Sequence, residues 1–234
     1  MNNSWKVYML ALVSFLVGTT QFCIVGMLDK IAASADVSVS TAGQLITVFA
    51  LGNALGTPIV MIATAKMNQR KQLLMALMII LLGIALTLTL PGFVLLMASR
   101  VVLGLGTGIF VVTAYSLASK LASPGRQGSA MSNVAMGFSS SLVFGVPIGR
   151  IIAATYDWKT IFWGIGLLCL VATFLVAKFI PVMEGDVAIP AIGIPEAAPD
   201  CHYPGRDFLC ICWLFSGRYV HYTLSRYSYA NDGK

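Results

Sequence analysis

Charge is what this sequence has least of. Only 10% of its 234 residues are Asp, Glu, Lys or Arg, against about 25% in ordinary soluble domains. That is too little polar surface to coat a water-soluble globule. With 58% hydrophobic residues and a mean hydropathy of +0.85, the chain reads as a membrane protein. Acidic charge is the scarcer sign. Asp29, Asp36, Asp157, Glu184, Asp186, Glu196, Asp200, Asp207 and Asp232 are all at the ends of apolar runs, in loops or in the tail. No paired acids, His/Cys cluster or nucleophile constellation stands within the apolar runs, so no enzyme mechanism is legible.

Cysteine and histidine are equally uninformative as ligands. Cys23 and Cys169 lie inside apolar runs and read as small buried hydrophobes. Cys201, Cys210 and Cys212 with His202 and His221 match no zinc spacing, so no metal or other cofactor is implied. The net charge of +6 raises the question of nucleic acid. The basic residues, however, are scattered singly at the ends of apolar runs and form no patch, which excludes a nucleic-acid partner and fits the positive-inside rule. The glycines lie within apolar helices and not after strands, which excludes a phosphate-cradling loop.

What the sequence has is long uncharged runs. A helix of ~20 apolar residues crosses the hydrocarbon core, and six such spans are expected, at about 7–28, 41–65, 72–90, 93–119, 128–154 and 158–180. The first could be mistaken for a cleaved signal peptide, because Ala33-Ser34-Ala35 mimics a cleavage site. Its apolar run is too long for a signal core, and more spans follow. The second is expected to begin at a Ser40 or Thr41 cap and to kink at Pro58. Pro91-Gly92 separates the third span from the fourth. With the N-terminus inside, Lys6, Lys66, Arg70, Lys71, Lys120, Arg126 and Lys178 lie on the cytoplasmic side and Lys30, Lys159 and Arg150 on the other, the asymmetry that places the N-terminus in the cytoplasm.

One charge interrupts these runs. Arg100 is the only charged residue from Gln72 to Ser119. An ionisable group at the centre of a membrane helix costs at least ~2.5–3.5 kcal/mol, so it marks function by default. The alternative is an arginine near a helix end that reaches the headgroups. Gly104 and Gly108 follow at i+4 and i+8 on the same face, which lets a neighbouring helix press close and hide the guanidinium. Gly52 and Gly56 make a second close-packing pair. In the fifth span Asn133, Gly137, Ser141, Gly145 and Gly149 recur every four residues, with Pro147 among them.

These residues resemble the N-terminal half of a major facilitator superfamily transporter, of the twelve-helix drug/sugar:proton antiporter branch. Arg100-Val101-Val102-Leu103-Gly104-Leu105-Gly106-Thr107-Gly108 is similar to that branch's fourth-helix arginine motif. Gly145-Val146-Pro147-Ile148-Gly149, eight residues after Gly137, is similar to its fifth-helix antiporter motif. Asp157-Trp158-Lys159-Thr160-Ile161-Phe162-Trp163 resembles the usual start of the sixth helix. Gly18-Thr19-Thr20-Gln21-Phe22, Ala42-Gly43-Gln44-Leu45 and Ala50-Leu51-Gly52 resemble bacterial sugar-efflux and arabinose-efflux-type permeases. The resemblance covers about Trp5 to Pro181. Lys66, Arg70 and Lys71 occupy the family's gating loop, with Ala65 where aspartate is usual, and Gln21 stands where many relatives have glutamate.

The resemblance implies efflux of a small molecule, sugar or drug, by alternating access driven by the proton gradient, in the bacterial cytoplasmic (inner) membrane. It implies a second six-helix bundle as partner, either the family's C-terminal half or another copy. Arg100, Gly104, Gly108, Gly137, Gly145, Pro147, Gly149, Lys66, Arg70 and Lys71 are then coupling and gating candidates. Gln21, Asn53, Tyr115 and Asn133, with Thr113 and Trp163, are midplane candidates for facing substrate; Asp29 is the nearest acid to pair with Arg100. The other reading is a truncated, transport-inactive fragment of such a transporter. Domains are expected as a bundle over 1–181, a linker over 182–200 and an atypical, disordered or out-of-frame tail over 201–234. Topology reporters fused after residues 35, 68, 92, 123 and 157 are expected to alternate sides of the membrane; two consecutive reporters on one side would overturn the six-span reading.

Overall fold

The computed structural model describes residues 3–64, 67–89, 92–123, 125–156 and 158–180, apart from the side chains of Asn3 and Ser4. They form seven helices: α1 (Asn3–Gly26), α2 (Leu28–Ser34), α3 (Val39–Ala63), α4 (Gln69–Thr89), α5 (Phe93–Leu121), α6 (Gln127–Thr155) and α7 (Trp158–Phe179). All but α2 are long and apolar enough to cross a membrane, and the described residues include no strand. The helical bundle belongs to a unit spanning Met1–Ile189. The expected linker (182–200) and tail (201–234) lie outside the described residues, as does Lys66.

Two boundaries differ in kind from those read in the sequence. The first span ends at Gly26, and the chain turns at Met27 into the short α2. The second is capped by Ser38, not by Ser40 or Thr41: Ser38 has extended backbone, and its Oγ accepts from the Thr41 amide at 3.1 Å. This satisfies one of the orphan donors of the first turn. Pro58 and Pro147 lie inside α3 and α6, which stay helical through both. Before α5, Gly92 sits at φ +103°, where a side chain would be strained, and that makes the separation of α4 from α5.

The helices pack in pairs that small residues hold close. A Cβ on Gly104 would overlap the Phe49 carbonyl oxygen of α3, and one on Gly52 would come within 2.8 Å of the Val101 carbonyl oxygen of α5. Gly56 faces Leu105, and Gly108 faces Asn53 and Thr57. Residue numbers rise together along this contact, so α3 and α5 run parallel. The α1–α6 contact is parallel in the same way: Gly137 meets Ala11, Ser141 meets Gly18, Gly145 meets Thr19 and Gly149 meets Cys23. Between α4 and α5 the order reverses, with Gly83 on Leu103 and Gly106 on Ile79 and Ile80, so these helices are antiparallel. Parallel first–fifth and second–fourth spans beside an antiparallel third–fourth pair are what a chain crossing back and forth produces.

The glycines are not equivalent. Gly43 on α3 has nothing within 4 Å of an added Cβ. Gly43→Ala is expected to raise stability by about 0.5–1 kcal/mol through helix propensity. Gly104→Ala is expected to lower it by about 1–3 kcal/mol, because the new methyl meets backbone and not a movable side chain. Thermal unfolding in detergent reads both; equal shifts of the same sign would remove the close-approach role of Gly104.

Candidate functional site

Arg100 is placed by α5, about 10 Å into the helix from Phe93 at ~1.5 Å per residue. It is 1% exposed, the largest fully buried side chain described, so it is enclosed by protein and does not reach toward headgroups. Its guanidinium carbon lies 5.1 Å from the centroid of the Phe162 ring of α7. A cation over an aromatic face recovers part of the lost hydration. Leu96, Leu103 and Phe49 are buried around it. At the residue just before it, the hydroxyls of Ser99 and Thr87 meet at 3.0 Å and tie α5 to α4.

Arg100 borders a cavity of about 70 Å³ between α1, α3 and α5. Gln21, Phe22, Leu45, Ile46 and Phe49 complete most of its wall. The C-terminal part of α1 and the N-terminal thirds of α3, α5 and α7 meet here, at the end of the bundle opposite Arg70 and Lys71. Nε and Nη2 of Arg100 and Oε1 of Gln21 are buried with no hydrogen-bond partner. Such groups each cost on the order of 1–3 kcal/mol, more when charged. Asp29, expected as the nearest acid, is exposed in the first turn of α2 and makes no bond to Arg100. Among the described residues no carboxylate pairs with this cation.

The other candidates are distributed differently. Asn53 accepts from the Thr57 hydroxyl at 3.2 Å and is turned toward Gly108, within the α3–α5 contact. Tyr115 and Asn133 are half-buried on α5 and α6, and none of Asn53, Tyr115 and Asn133 lines the Arg100 cavity. Thr113 is buried, whereas Trp163 is 68% exposed on α7. Gly137, Gly145 and Gly149 form the α6 surface against α1, while Pro147 points outward beside them.

At the opposite end, α4 ties two helix ends together. The Arg70 guanidinium donates to the Ala177 carbonyl in the last turn of α7. Gln72 Nε2 donates to the Thr64 carbonyl at 2.8 Å, at the end of α3. Gln69 Nε2 donates to Ser116 Oγ of α5 at 2.7 Å. Helix C-termini leave carbonyls unpaired and favour cations. Arg70 therefore has a defined contact, whereas Lys71 is exposed. Gln69 and Gln72 were not among the expected residues; their one signal was two amides flanking the basic pair at a span boundary. In the sequence Phe162 is only one member of the sixth-span motif; its position under the cation is a property of the fold.

A bundle of six membrane-length helices around one buried cation defines an integral membrane protein. A family model described as Major Facilitator Superfamily matches residues 10–201, and the chain belongs to that family of membrane transporters. It is 46% identical over 192 residues to an "Uncharacterized MFS-type transporter YbcL" of Bacillus subtilis (strain 168), covering 82% of this chain and 49% of the relative. The chain thus spans about half the length of this curated relative. Among solved structures, the human organic anion transporter MFSD10 (TETRAN) shares the fold at TM-score 0.55 and 17% identity, over 76% of this chain and 47% of that one. The family match crosses the segment read as a linker and stops at residue 201.

Arg70→Ala is expected to cost about 1–2 kcal/mol by leaving the end of α7 uncapped, while Lys71→Ala leaves stability unchanged. Thermal unfolding of both variants in detergent is the check, and equal effects would sink the capping role.

Proposed function

We propose that this chain is the N-terminal bundle of a transporter that exports a small molecule, a sugar or a drug, by proton-coupled alternating access. It would lie in the bacterial cytoplasmic membrane with its N-terminus in the cytoplasm. The single observation that carries the reading is Arg100, buried and unpaired at Nε and Nη2 beside a cavity within a membrane helix. An intrabilayer charge kept without a partner marks a pathway for substrate or ion. The antiporter-type motif at Gly145–Gly149 and the basic asymmetry of the loops support the coupling and the orientation.

A second bundle completes this proposal. α3 and α6 each bury only 17% of their apolar window, against 33–56% in the other four spans. Ile46, Leu55 and Ile59 of α3 and Met136, Val143 and Ile151 of α6 are exposed. Two parallel helix pairs, each with one such poorly covered member, suit a unit that rocks against a partner. The gating residues Arg70 and Lys71 and the α6 glycines Gly137, Gly145 and Gly149 would serve that motion, and Lys66 would act with them.

The test uses the chain joined to the second half of a close relative, in everted vesicles with an imposed proton gradient and a panel of labelled sugars and drugs. Arg100→Ala is expected to abolish export at unchanged expression. Arg100→Lys is expected to restore it only in part, because the planar fork is lost. Wild-type export in both variants would remove the role given to Arg100, and export insensitive to the gradient would remove the coupling.

A further inference from the structure

We propose that the seam between α4 and α7, at the end that carries Arg70, binds one anionic phospholipid. Its phosphate is held by Arg70, Lys71 and Lys178, and its acyl chains lie along the outer faces of the two helices. The site is separate from Arg100 and does not rest on the export function proposed above.

The seam places the cations. α4 and α7 run antiparallel: a Cβ on Gly166 would lie 3.2 Å from Ile84, and the Arg70 guanidinium donates to the Ala177 carbonyl. Arg70 therefore stands where the seam ends. Successive helix residues are turned by about 100°, so Lys71 lies to one side of Arg70 and Lys178 to the other side of Ala177. Lys71 is exposed, and Arg70 and Lys178 are half-buried, so all three can be reached from outside. An arginine carries five N–H donors, and the contact with Ala177 does not exhaust them.

Each lysine also heads an exposed apolar row. Met78 and Leu82 follow Lys71 by seven and eleven residues on the same face of α4, and both are exposed. On α7, Phe174, Val171 and Leu167 precede Lys178 by four, seven and eleven residues, and all three are exposed. The two rows flank the seam, and the three positive charges sit at its end.

An occupant has to answer both parts. A soluble anion would meet the cations and leave the apolar rows uncovered. A neutral lipid would cover the rows and leave the charges unanswered. An anionic phospholipid joins a phosphate to two acyl chains in the direction the rows run, and basic pockets between membrane helices suit such headgroups. The guanidinium fork matches phosphate oxygens, and the lysines add point charges. Among the described residues no carboxylate competes at this end, because Asp29 and Asp36 lie at the other, in α2 and before α3. The positive-inside rule accounts for cations at this end of the bundle; it does not gather three of them round one seam. Arg126 shares the end but stands at the start of α6, which packs on α1.

Native mass spectrometry of the full chain in detergent, titrated with dioleoyl phosphatidylglycerol or dioleoyl phosphatidylcholine, reads the first bound lipid. Phosphatidylglycerol is expected to bind roughly 5- to 50-fold more tightly than phosphatidylcholine. Lys71→Gln with Lys178→Gln should bring the two lipids to within about twofold of each other. Arg126→Gln, which removes a charge from the same end, should leave the preference unchanged. Should the double variant lose helical content, Lys178→Gln alone decides, with an expected drop of roughly threefold. Glycerophosphoglycerol, the headgroup without acyl chains, and inorganic phosphate should not displace the lipid at equal concentration. Equal binding of the two lipids by the wild type, an equal loss in Arg126→Gln, or displacement by either soluble phosphate would each overturn the proposal.

Discussion

The structure depends on keeping one guanidinium out of lipid. A charge at this depth is tolerated only if protein surrounds it, and arginine cannot shed its proton to escape the cost. Enclosure therefore dictates what α5 touches. Phe162 of α7 covers one face of the cation, and Phe49 of α3 packs close to α5 and borders the same cavity. Gly104, one turn beyond Arg100, removes the side chain that would hold α3 away. Had that position carried even a methyl group, α3 would stand off, and Arg100 would face whatever filled the gap.

Close approach is also what replaces the hydrophobic effect between these helices. Lipid tails are as apolar as leucine, so burial alone does not drive helices together within the membrane; dense packing and a few polar bonds do. The α1–α6 and α3–α5 pairs supply the packing through facing small residues. The polar bonds are concentrated at the ends, where Gln69, Arg70 and Gln72 of α4 meet α5, α7 and the end of α3. The division is physical. At the helix ends, backbone carbonyls lack intrahelical partners and accept side-chain donors, whereas in the middle the backbone satisfies itself.

This division explains how much of the molecule was legible in the sequence. Six spans could be read because length and lack of charge are sufficient signals for a membrane helix. Arg100 with Gly104 and Gly108, and the Gly137–Gly149 stripe, could be read as close-packing faces because their spacing is helical. Which helix each face meets could not. The apolar spans carry no polar side to orient them, so the amphipathic pattern that points a soluble helix toward its core is absent. The pairing of Gly137 with Ala11 and of Gly104 with Phe49 is thus a property of the fold alone. The same gap led to Asp29 as partner for Arg100: closeness to a span end in sequence said nothing of the turn at Met27, which carries Asp29 into an exposed helix. Three hydroxyl residues, Ser38, Ser40 and Thr41, compete for the cap within one turn, so residue type does not single out Ser38. Backbone conformation, not residue type, decides between them.

Proton coupling, as proposed for this bundle, meets a constraint in the same cation. Arginine holds a fixed charge, so the charge of the site can change only through what comes next to Arg100. Among the described residues the acids Asp29 and Asp36 are exposed, both outside the long spans. Coupling would therefore draw its titrating group from outside these described spans, and the bundle itself would contribute the fixed charge that such a group meets.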